Sequence, residues 1–416
     1  MTSNMVAARR FWSVLLISAV VDSSVQASPI TISEAVHRAV DTGPAVIQAR
    51  GTVSAAEARA RLAGLRPNPE VGLAVESFGG TREYRGLRQA ETTLSVSQRF
   101  ELGGKRAARR EIAEAELRGA RISLFQARSE AAGNAKARFA ELSVARDRLV
   151  LAQAAEARAR ELARIVRLLV EAGREPPLRA LRAQAAAAEV EATRRLAETT
   201  LLQASSALAS VLGQGDSSVE AEGPYEDAIL QSVARQDETS GEPAERLSLP
   251  VQLALAERDA AQARLRLEQA TAVPDITGDF GVRRIESSKD IALVAGISVP
   301  IPLANNNRNA VQAARVEAQL AEARLTQAQR EDVRLVRDAR SALAAANARV
   351  ASLEVSGLRE SREAVRLAEI GYRAGKFSLL ELLDAQSALN QAEASLLDAR
   401  LARAQAAATL AKVMAR

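Results

Sequence analysis

Two kinds of hydrophobic pattern divide this sequence, one typical of long helices and the other of short strands. Apolar residues at helical spacing predict helices over 31–65, 105–172, 177–212, 251–272, 308 to about 370, and 378–416. Strict alternation of apolar with small or polar residues predicts strands at 71–76, 92–98, 276–283 and 291–299. The order helix, strand pair, long helix, turn, long helix therefore occurs twice, which predicts an internal duplication.

The turn between the long helices has the same design in both copies. Gly173 aligns with Gly375 at an offset of 202 residues (375 − 173 = 202), and Arg174 then aligns with Lys376. In each copy a Gly ends one helix, where a positive φ is needed, and a Ser or Pro opens the next helix. The sequence thus predicts two helical hairpins, and we expect their tips to carry the function.

The first 27 residues have the features of a secretory signal peptide. Arg9 and Arg10 precede an apolar run of 11 residues, which is too short to cross a bilayer as a helix. Small residues precede a predicted cleavage site before Ser28. Because the chain has no Cys, we expect no lipidation. The rest divides into a first repeat (28–213), a linker rich in Gly, Ser, Pro and acids (214–249) and a second repeat (250–416).

Composition argues against an enzyme. Aromatic residues are only 3% and hydrophobic residues 47%, a mixture that suits closely packed helices. The chain has no Cys and a single His, His37, so we expect neither a metal site nor a cofactor. Phosphate-loop and dinucleotide motifs are absent. The net charge of +5 arises from acids and bases interspersed on helical faces, which indicates solvated surfaces rather than a nucleic-acid partner.

The strand pairs have an apolar face without a partner in one chain. In the last strand this face consists of Ile291, Leu293, Ala295, Ile297 and Val299. In an exported protein it cannot be left in water. Four strands cannot close a membrane barrel, which needs at least about eight. Strands from other copies must therefore complete the sheet, and two chains would supply 8 (2 × 4) or three chains 12 (3 × 4).

The long helices leave the strands on one side only. Small residues at 4-3-4-3 spacing form a coiled-coil seam that lets helices approach closely, at Ala314, Ala318, Ala321, Leu325 and Ala328. The predicted fold is mainly α with a small β part, a helical tube beneath a membrane barrel. A periplasmic structural coiled-coil protein without a pore is the alternative from another class, but it leaves the strands and their proline boundaries unexplained.

With these segments in place, the sequence resembles the TolC-type outer membrane efflux proteins over essentially the whole mature chain. The most specific motif is 372–385, and the strand-to-helix joints at 101–106 and 300–302 also match. The first joint is most similar to the heavy-metal (CzcC-like) branch. The resemblance implies a homotrimer with a 12-stranded barrel in outer membrane lipid and long helices in the periplasm.

The resemblance also implies partners and a cargo. Family members form the exit duct of a tripartite pump with a periplasmic adaptor and an inner-membrane proton-driven transporter of the RND type. The joint favours export of heavy-metal cations from the periplasm to the exterior. The same duct could instead serve drug efflux or type I protein secretion, and composition does not separate these cargoes.

Candidate site residues lie at the two tips. Glu381 and Asp384 are spaced i, i+3 on one helix face, and in a trimer they would form stacked carboxylate rings that favour cations. The resemblance makes them lining residues of the periplasmic aperture, and makes Tyr372 part of the network that holds the aperture shut. Phe377 departs from the Arg of some relatives, so we expect a different latch.

Five further tip residues are candidates for contact with the adaptor. They are Gly173, Arg174, Gly375, Lys376 and Ser378. The simpler alternative is that they only make the turns. Both roles are compatible, because an exposed helix end has free backbone groups that need partners.

Overall fold

A computed structural model of the chain describes residues 28–213, 218–231 and 247–415, and long helices dominate it. The α-helices that form the architecture are α1 (Ile32–Thr42), α2 (Pro44–Ala63), α3 (Lys105–Glu171), α4 (Pro177–Val211), α5 (Leu249–Thr271), α6 (Arg308–Ser352), α7 (Leu358–Arg373) and α8 (Leu379–Val413). The strands are β1 (Ser28–Thr31), β2 (Glu70–Glu76), β3 (Glu91–Phe100), β4 (Val219–Glu222), β5 (Ile276–Ile285) and β6 (Asp290–Ser298). The predicted signal peptide lies outside the described residues.

The two predicted hairpins form one antiparallel sheet in the order β2-β3-β5-β6. Its register aligns the apolar positions of all four strands, since Leu94 lies opposite both Leu73 and Val282, and Val282 lies opposite Leu293. Paired residues share a face of the sheet. The strands therefore present one continuous apolar face, whose large side chains are exposed: Val71, Leu73, Val75, Leu94, Val96, Phe100, Phe280, Val282, Ile291, Leu293 and Ile297.

The opposite face of the sheet is polar and internally paired. The Arg283 guanidinium donates to Glu91 at 2.8 Å and to the Thr93 hydroxyl at 3.0 Å. Ser97 donates to Asp279 at 2.5 Å on the same face. The alternation read from the sequence is thus confirmed, with an apolar side and a side suited to water. β2 and β6 are the open edges of the sheet.

The helices pack through small residues, as the coiled-coil seam predicts. Ala314, Ala321 and Leu325 are buried, and Leu325 packs against Val251 and Ala254 of α5. Close approach is possible because alanine adds little bulk at a helix contact. Within the part of the chain that the structure describes, no helix is long and apolar enough to cross a membrane.

Two predicted helices are interrupted, and the prediction of unbroken helices there was wrong. The segment 31–65 divides into α1 and α2 at Gly43, because Pro44 opens α2 and cannot donate a backbone hydrogen bond. The segment from 308 to about 370 contains a π-helical turn at Leu353–Gly357 between α6 and α7. Gly357 lies at the end of this turn, where its low helix propensity favours the irregularity.

The predicted linker contains a strand that the sequence analysis missed. β4 pairs in parallel with β1, so the beginning of the first repeat and the segment after it lie side by side. Val219 and Ala221 are buried and alternate with exposed Glu220 and Glu222. Residues 214–217 and 232–246 lie outside the description, so the limits of the linker and of the two repeats stay predictions.

The duplication extends to individual ion pairs. Arg160 lies 3.6 Å from Glu191, and Arg362 lies 3.6 Å from Glu393, each pair shifted by 202 residues (362 − 160 and 393 − 191). A second duplicated pair joins residues three apart within a helix, Glu161 with Arg164 at 2.7 Å and Glu363 with Arg366 at 2.6 Å. The offset read at the tips therefore holds along the neighbouring helices.

At one duplicated position the two repeats use opposite chemistry. Glu156 of α3 is buried and pairs with Arg194 of α4 at 3.0 Å and with Arg160 at 2.8 Å. The equivalent positions in the second repeat are Leu358 (156 + 202) and Leu396 (194 + 202), which pack together around Val350. The same helix contact is therefore held by a buried ion pair in one repeat and by leucines in the other.

This contrast predicts the effect of replacing the Glu156–Arg194 ion pair with leucines. Arg194→Leu alone should lower the free energy of unfolding by about 3 kcal/mol, because the buried Glu156 carboxylate is left with the exposed Arg160 alone. Glu156→Leu alone should cost less, because Arg194 keeps its pair with Glu198. The double replacement should recover to within about 1 kcal/mol of the unchanged protein or exceed it. Thermal unfolding followed by circular dichroism of the detergent-solubilised protein measures both. A double variant no more stable than the weaker single variant would contradict the prediction.

Candidate functional site

Both hairpin tips lie at the same end of the molecule and share one apolar cluster. Its buried members come from all four long helices: Leu162 and Val166 of α3, Ala183 of α4, Ala368 of α7, and Leu379 and Leu382 of α8. Tyr372 and Leu383 pack against this cluster from its edge. The predicted site residues from the two repeats are thus brought to one place, some 200 residues apart in sequence.

The first tip is a tight turn fixed by backbone hydrogen bonds. After α3, Gly173 has φ of +68° and donates to the Val170 carbonyl at 2.9 Å, while Arg174 donates to the Leu169 carbonyl at 2.8 Å. This pair of bonds is the Schellman motif, which satisfies the last carbonyl groups of a helix. Pro177 then opens α4, where a missing N–H costs nothing.

The second tip repeats this geometry atom for atom along the backbone. Gly375 has φ of +67° and donates to the Tyr372 carbonyl at 3.0 Å, and Lys376 donates to the Gly371 carbonyl at 2.8 Å. Each donor and acceptor is 202 residues beyond its counterpart in the first tip. The predicted turn role of Gly173 and Gly375 is therefore what the structure shows, and both glycines are exposed at the tips.

The second tip opens α8 with a capping box. The Ser378 hydroxyl accepts from the Glu381 amide at 3.3 Å, and the Glu381 carboxylate accepts from the Ser378 amide at 2.6 Å. The hydrogen bond from the Ser378 backbone lowers the pKa of Glu381 below its ordinary value. This second use of Glu381 escaped the sequence analysis, although Ser followed three residues later by Glu is its signal.

The two carboxylates of the proposed aperture lie on the exposed side of α8. Glu381 and Asp384 are exposed, whereas Leu382 between them is buried and Leu383 half-buried. Asp384 forms no ion pair or hydrogen bond among the residues described. The helix thus directs its apolar side to the shared cluster and its acids to solvent, as the i, i+3 spacing requires.

Tyr372 is half-buried between the tips. Its hydroxyl oxygen is buried and finds no hydrogen-bond partner within the described residues of one chain. Burial raises the pKa of the Tyr372 phenol, and the Glu175 carboxylate of the first tip raises it further. A buried hydroxyl without a partner is uncommon, so this atom is the polar group of the site that a single chain leaves unsatisfied.

Phe377 fixes the second tip by an apolar contact. Its ring lies so close to Gly371 that a β-carbon built there would be 2.1 Å from the ring. Gly371 is buried and Phe377 is about half exposed. An apolar contact of this kind commonly accompanies a Schellman turn. Within the chain, then, Phe377 supports its own turn.

The aligned positions of the tips carry opposite charge. Arg179 of the first tip corresponds to Glu381 (179 + 202 = 381), and Arg182 corresponds to Asp384 (182 + 202 = 384). Arg179 pairs with Glu175 beside the turn. The backbone of the two tips is therefore shared, while the charge at these two helix positions is reversed.

The described residues offer no metal centre. No group of three or more His, Asp or Glu side chains in them could hold a metal ion. His37, the single His of the chain, contacts Asp41 at 3.0 Å on the exposed side of α1.

The two glycines around the second turn should respond differently to alanine. Gly371→Ala should displace Phe377, whereas Gly375→Ala meets no atom within 4 Å and should cost about 1 kcal/mol through its left-handed backbone. Removing the ring with Phe377→Ala should therefore rescue Gly371→Ala but not Gly375→Ala. Hydrogen exchange of the amides at 371–378 measures this, and equal rescue of both variants would refute the packing role of Phe377.

Family and structural comparisons agree with this architecture. The model of the outer membrane efflux protein family matches residues 35–214 and 244–416. Two solved channels share the fold: the outer membrane protein VceC of Vibrio cholerae (TM-score 0.76, 20% identity, covering 92% of this chain and 95% of that one) and the MtrE outer membrane channel of Neisseria gonorrhoeae (TM-score 0.71, 20% identity, covering 92% and 88%).

Relatives in sequence are metal-resistance proteins. The nickel and cobalt resistance protein CnrC of Cupriavidus metallidurans is 32% identical over 315 residues, 73% of each chain. The cobalt-zinc-cadmium resistance protein CzcC of the same species is 27% identical over 395 residues, 94% of this chain and 91% of that one. With its duplicated hairpins, its four-stranded sheet and these matches, the chain belongs to the outer membrane efflux protein family.

Proposed function

We propose that this protein is the outer-membrane exit duct for heavy-metal cations, exported from the periplasm to the exterior. The observation that supports metal cations as the cargo is the 32% identity with CnrC, a nickel and cobalt resistance protein, over 73% of both chains. The described residues contain no metal-ligand cluster, which suits a conduit that passes ions without retaining them. A coiled-coil rod without a membrane part is incompatible with membership of the family.

The duct is proposed to be a homotrimer. One chain supplies four strands with open edges at β2 and β6, and it leaves the apolar face of the sheet exposed. Joining the edges of three copies gives 12 strands (3 × 4), enough to close a barrel whose apolar face meets lipid. The polar face, with Arg283 and Asp279, then lines the exit.

The partners are proposed to be a periplasmic adaptor and an inner-membrane RND-type transporter. The adaptor contacts would be the exposed residues around the two turns: Gly173, Arg174, Gly375, Lys376 and Ser378. The duplicated Schellman turns support this, because a trimer would present six turns of similar backbone geometry at this end (3 × 2). The signal peptide at 1–27 and the absence of lipidation stay predictions.

The periplasmic aperture is proposed to be lined by Glu381 and Asp384. Their exposure at the tip supports this role, and the lowered pKa of Glu381 keeps its carboxylate charged at neutral pH. Tyr372 is proposed to help hold the aperture shut, because it packs against the apolar cluster that the two tips share, near Glu175 of the first tip.

Metal content of the source bacterium tests the cargo. A strain lacking the gene should accumulate one or more of zinc, cobalt, cadmium, nickel and copper after challenge, relative to the complemented strain. Elemental analysis of washed cells measures this. If an expressed, outer-membrane-located protein makes no difference for any of these metals, the cargo is a drug or a secreted protein instead.

Conductance through the trimer tests the aperture. Glu381→Gln with Asp384→Asn should make the pore less cation-selective in planar bilayers, because two carboxylate rings are removed. Gln at position 381 can still complete the capping box, so the turn is kept. Glu363→Gln with Glu161→Gln, which removes two exposed helix acids away from the tips, is the matched control. Unchanged reversal potentials in the tip variant would contradict the assignment of Glu381 and Asp384 to the aperture.

A further inference from the structure

A cationic cavity lies where the sheet joins the helices in the first repeat. Its volume is about 670 Å³, and its walls come from the α2–β2 connection and from the end of β3 through the first turn of α3. Four cationic residues line it: Arg66, Arg99, Lys105 and Arg106. Pro67, Phe100 and Leu102 supply an apolar part of the wall. The cavity is far from both tips and has no part in the proposed passage of metal ions.

Positive charge in this cavity is in excess. Lys105 pairs with Asp275 at 2.6 Å, and Glu101, the only acid in the wall, accepts from Arg109 at 2.5 Å and 2.8 Å. Arg66, Arg99 and Arg106 form no ion pair or side-chain hydrogen bond within the described chain. A site with cations left over and its own acid already engaged selects an anion.

The depth of the cavity in the membrane indicates which molecules could supply the anion. β3 has ten residues, about 33 Å at the usual rise, or about 25 Å in height when tilted like a barrel strand. That height is the apolar band of an outer-membrane barrel. Phe100 ends the apolar face and also lines the cavity, so the cavity begins where the hydrocarbon ends, at headgroup depth.

The segment of the neighbouring copy that follows its last strand adds no negative charge to the cavity. In the completed barrel the β6 edge of one copy lies beside the β2 edge of the next. The segment that follows β6, residues 299–307, contains no acid, and Ile301 and Leu303 in it are 77% and 91% exposed. The second joint therefore presents exposed apolar side chains, followed by Asn305, Asn306 and Asn307, where the first presents a basic cavity.

We propose that this cavity binds the phosphate of an anionic glycerophospholipid from the leaflet on the helical side of the outer membrane. Arg66 and Arg106 hold the phosphate oxygens, and the acyl chains run from Phe100 along the apolar face. Binding one lipid per chain would fix the height of the barrel in the membrane. Guanidinium groups suit this role because they donate to phosphate in a bidentate manner.

Lipid titration of the full-length purified trimer tests the proposal. The delipidated protein in uncharged detergent is titrated with dihexanoyl-phosphatidylglycerol by calorimetry, and separately with inorganic phosphate. The test variant is Arg66→Gln/Arg106→Gln. The matched control is Arg308→Gln/Arg315→Gln, which removes two exposed arginines from the start of α6, the counterpart of α3, and leaves the cavity intact.

The expected result is saturable binding of about three lipids per trimer, with affinity about 30-fold lower in the test variant and unchanged in the control. Equal weakening in both variants would mean general charge attraction and would overturn the site. Phosphate binding as tight as the lipid would overturn the lipid assignment, and no saturable binding to the unchanged protein would overturn both.

The folded state of the variants is checked independently. Size-exclusion chromatography confirms the trimer, and if the double variant does not assemble, Arg66→Gln alone takes its place, with an expected loss of about 5-fold. Arg66 is exposed in a connecting segment, so its replacement leaves the helices unaffected. Because the readout is lipid binding, its failure leaves the metal-export proposal untouched, and the reverse also holds.

Discussion

The apolar face of the four-stranded sheet is the constraint on which the rest of the structure depends. The antiparallel register brings the alternating residues of β2, β3, β5 and β6 onto one side, and a single chain leaves that side exposed. Burying it requires lipid, and closing the open edges requires other copies. The position of the sheet then determines where the helices begin, so the helical half of the molecule extends from one side of the membrane.

The internal duplication produces two repeats that share their backbone geometry but differ in their side chains. The Schellman turns and the Arg160–Glu191 and Arg362–Glu393 pairs are the same in both repeats. At other aligned positions an ion pair in the first repeat corresponds to leucines in the second, and Arg179 and Arg182 correspond to Glu381 and Asp384. Backbone geometry is retained because it positions the helices, whereas side chains are free to diverge wherever the two repeats meet different surroundings.

Transport by such a duct needs little specific chemistry from the chain itself. The described residues contain no metal-ligand cluster, and the carboxylates of Glu381 and Asp384 are exposed at the second tip. Glu381 has two effects at the second tip, since its carboxylate both caps α8 and adds negative charge to the surface.

The sequence by itself determined the helices, the four strands, the two turns and their 202-residue offset, because periodicity, glycine and proline are local signals. The break at Pro44 is a local signal that the sequence analysis overlooked, whereas the pairing of β4 with β1 depends on contact between distant segments. The tertiary structure alone showed that the two tips share one cluster, that the Tyr372 hydroxyl lacks a partner and that the cationic cavity exists. Each of these features joins residues from separate elements, which no spacing along the chain can specify.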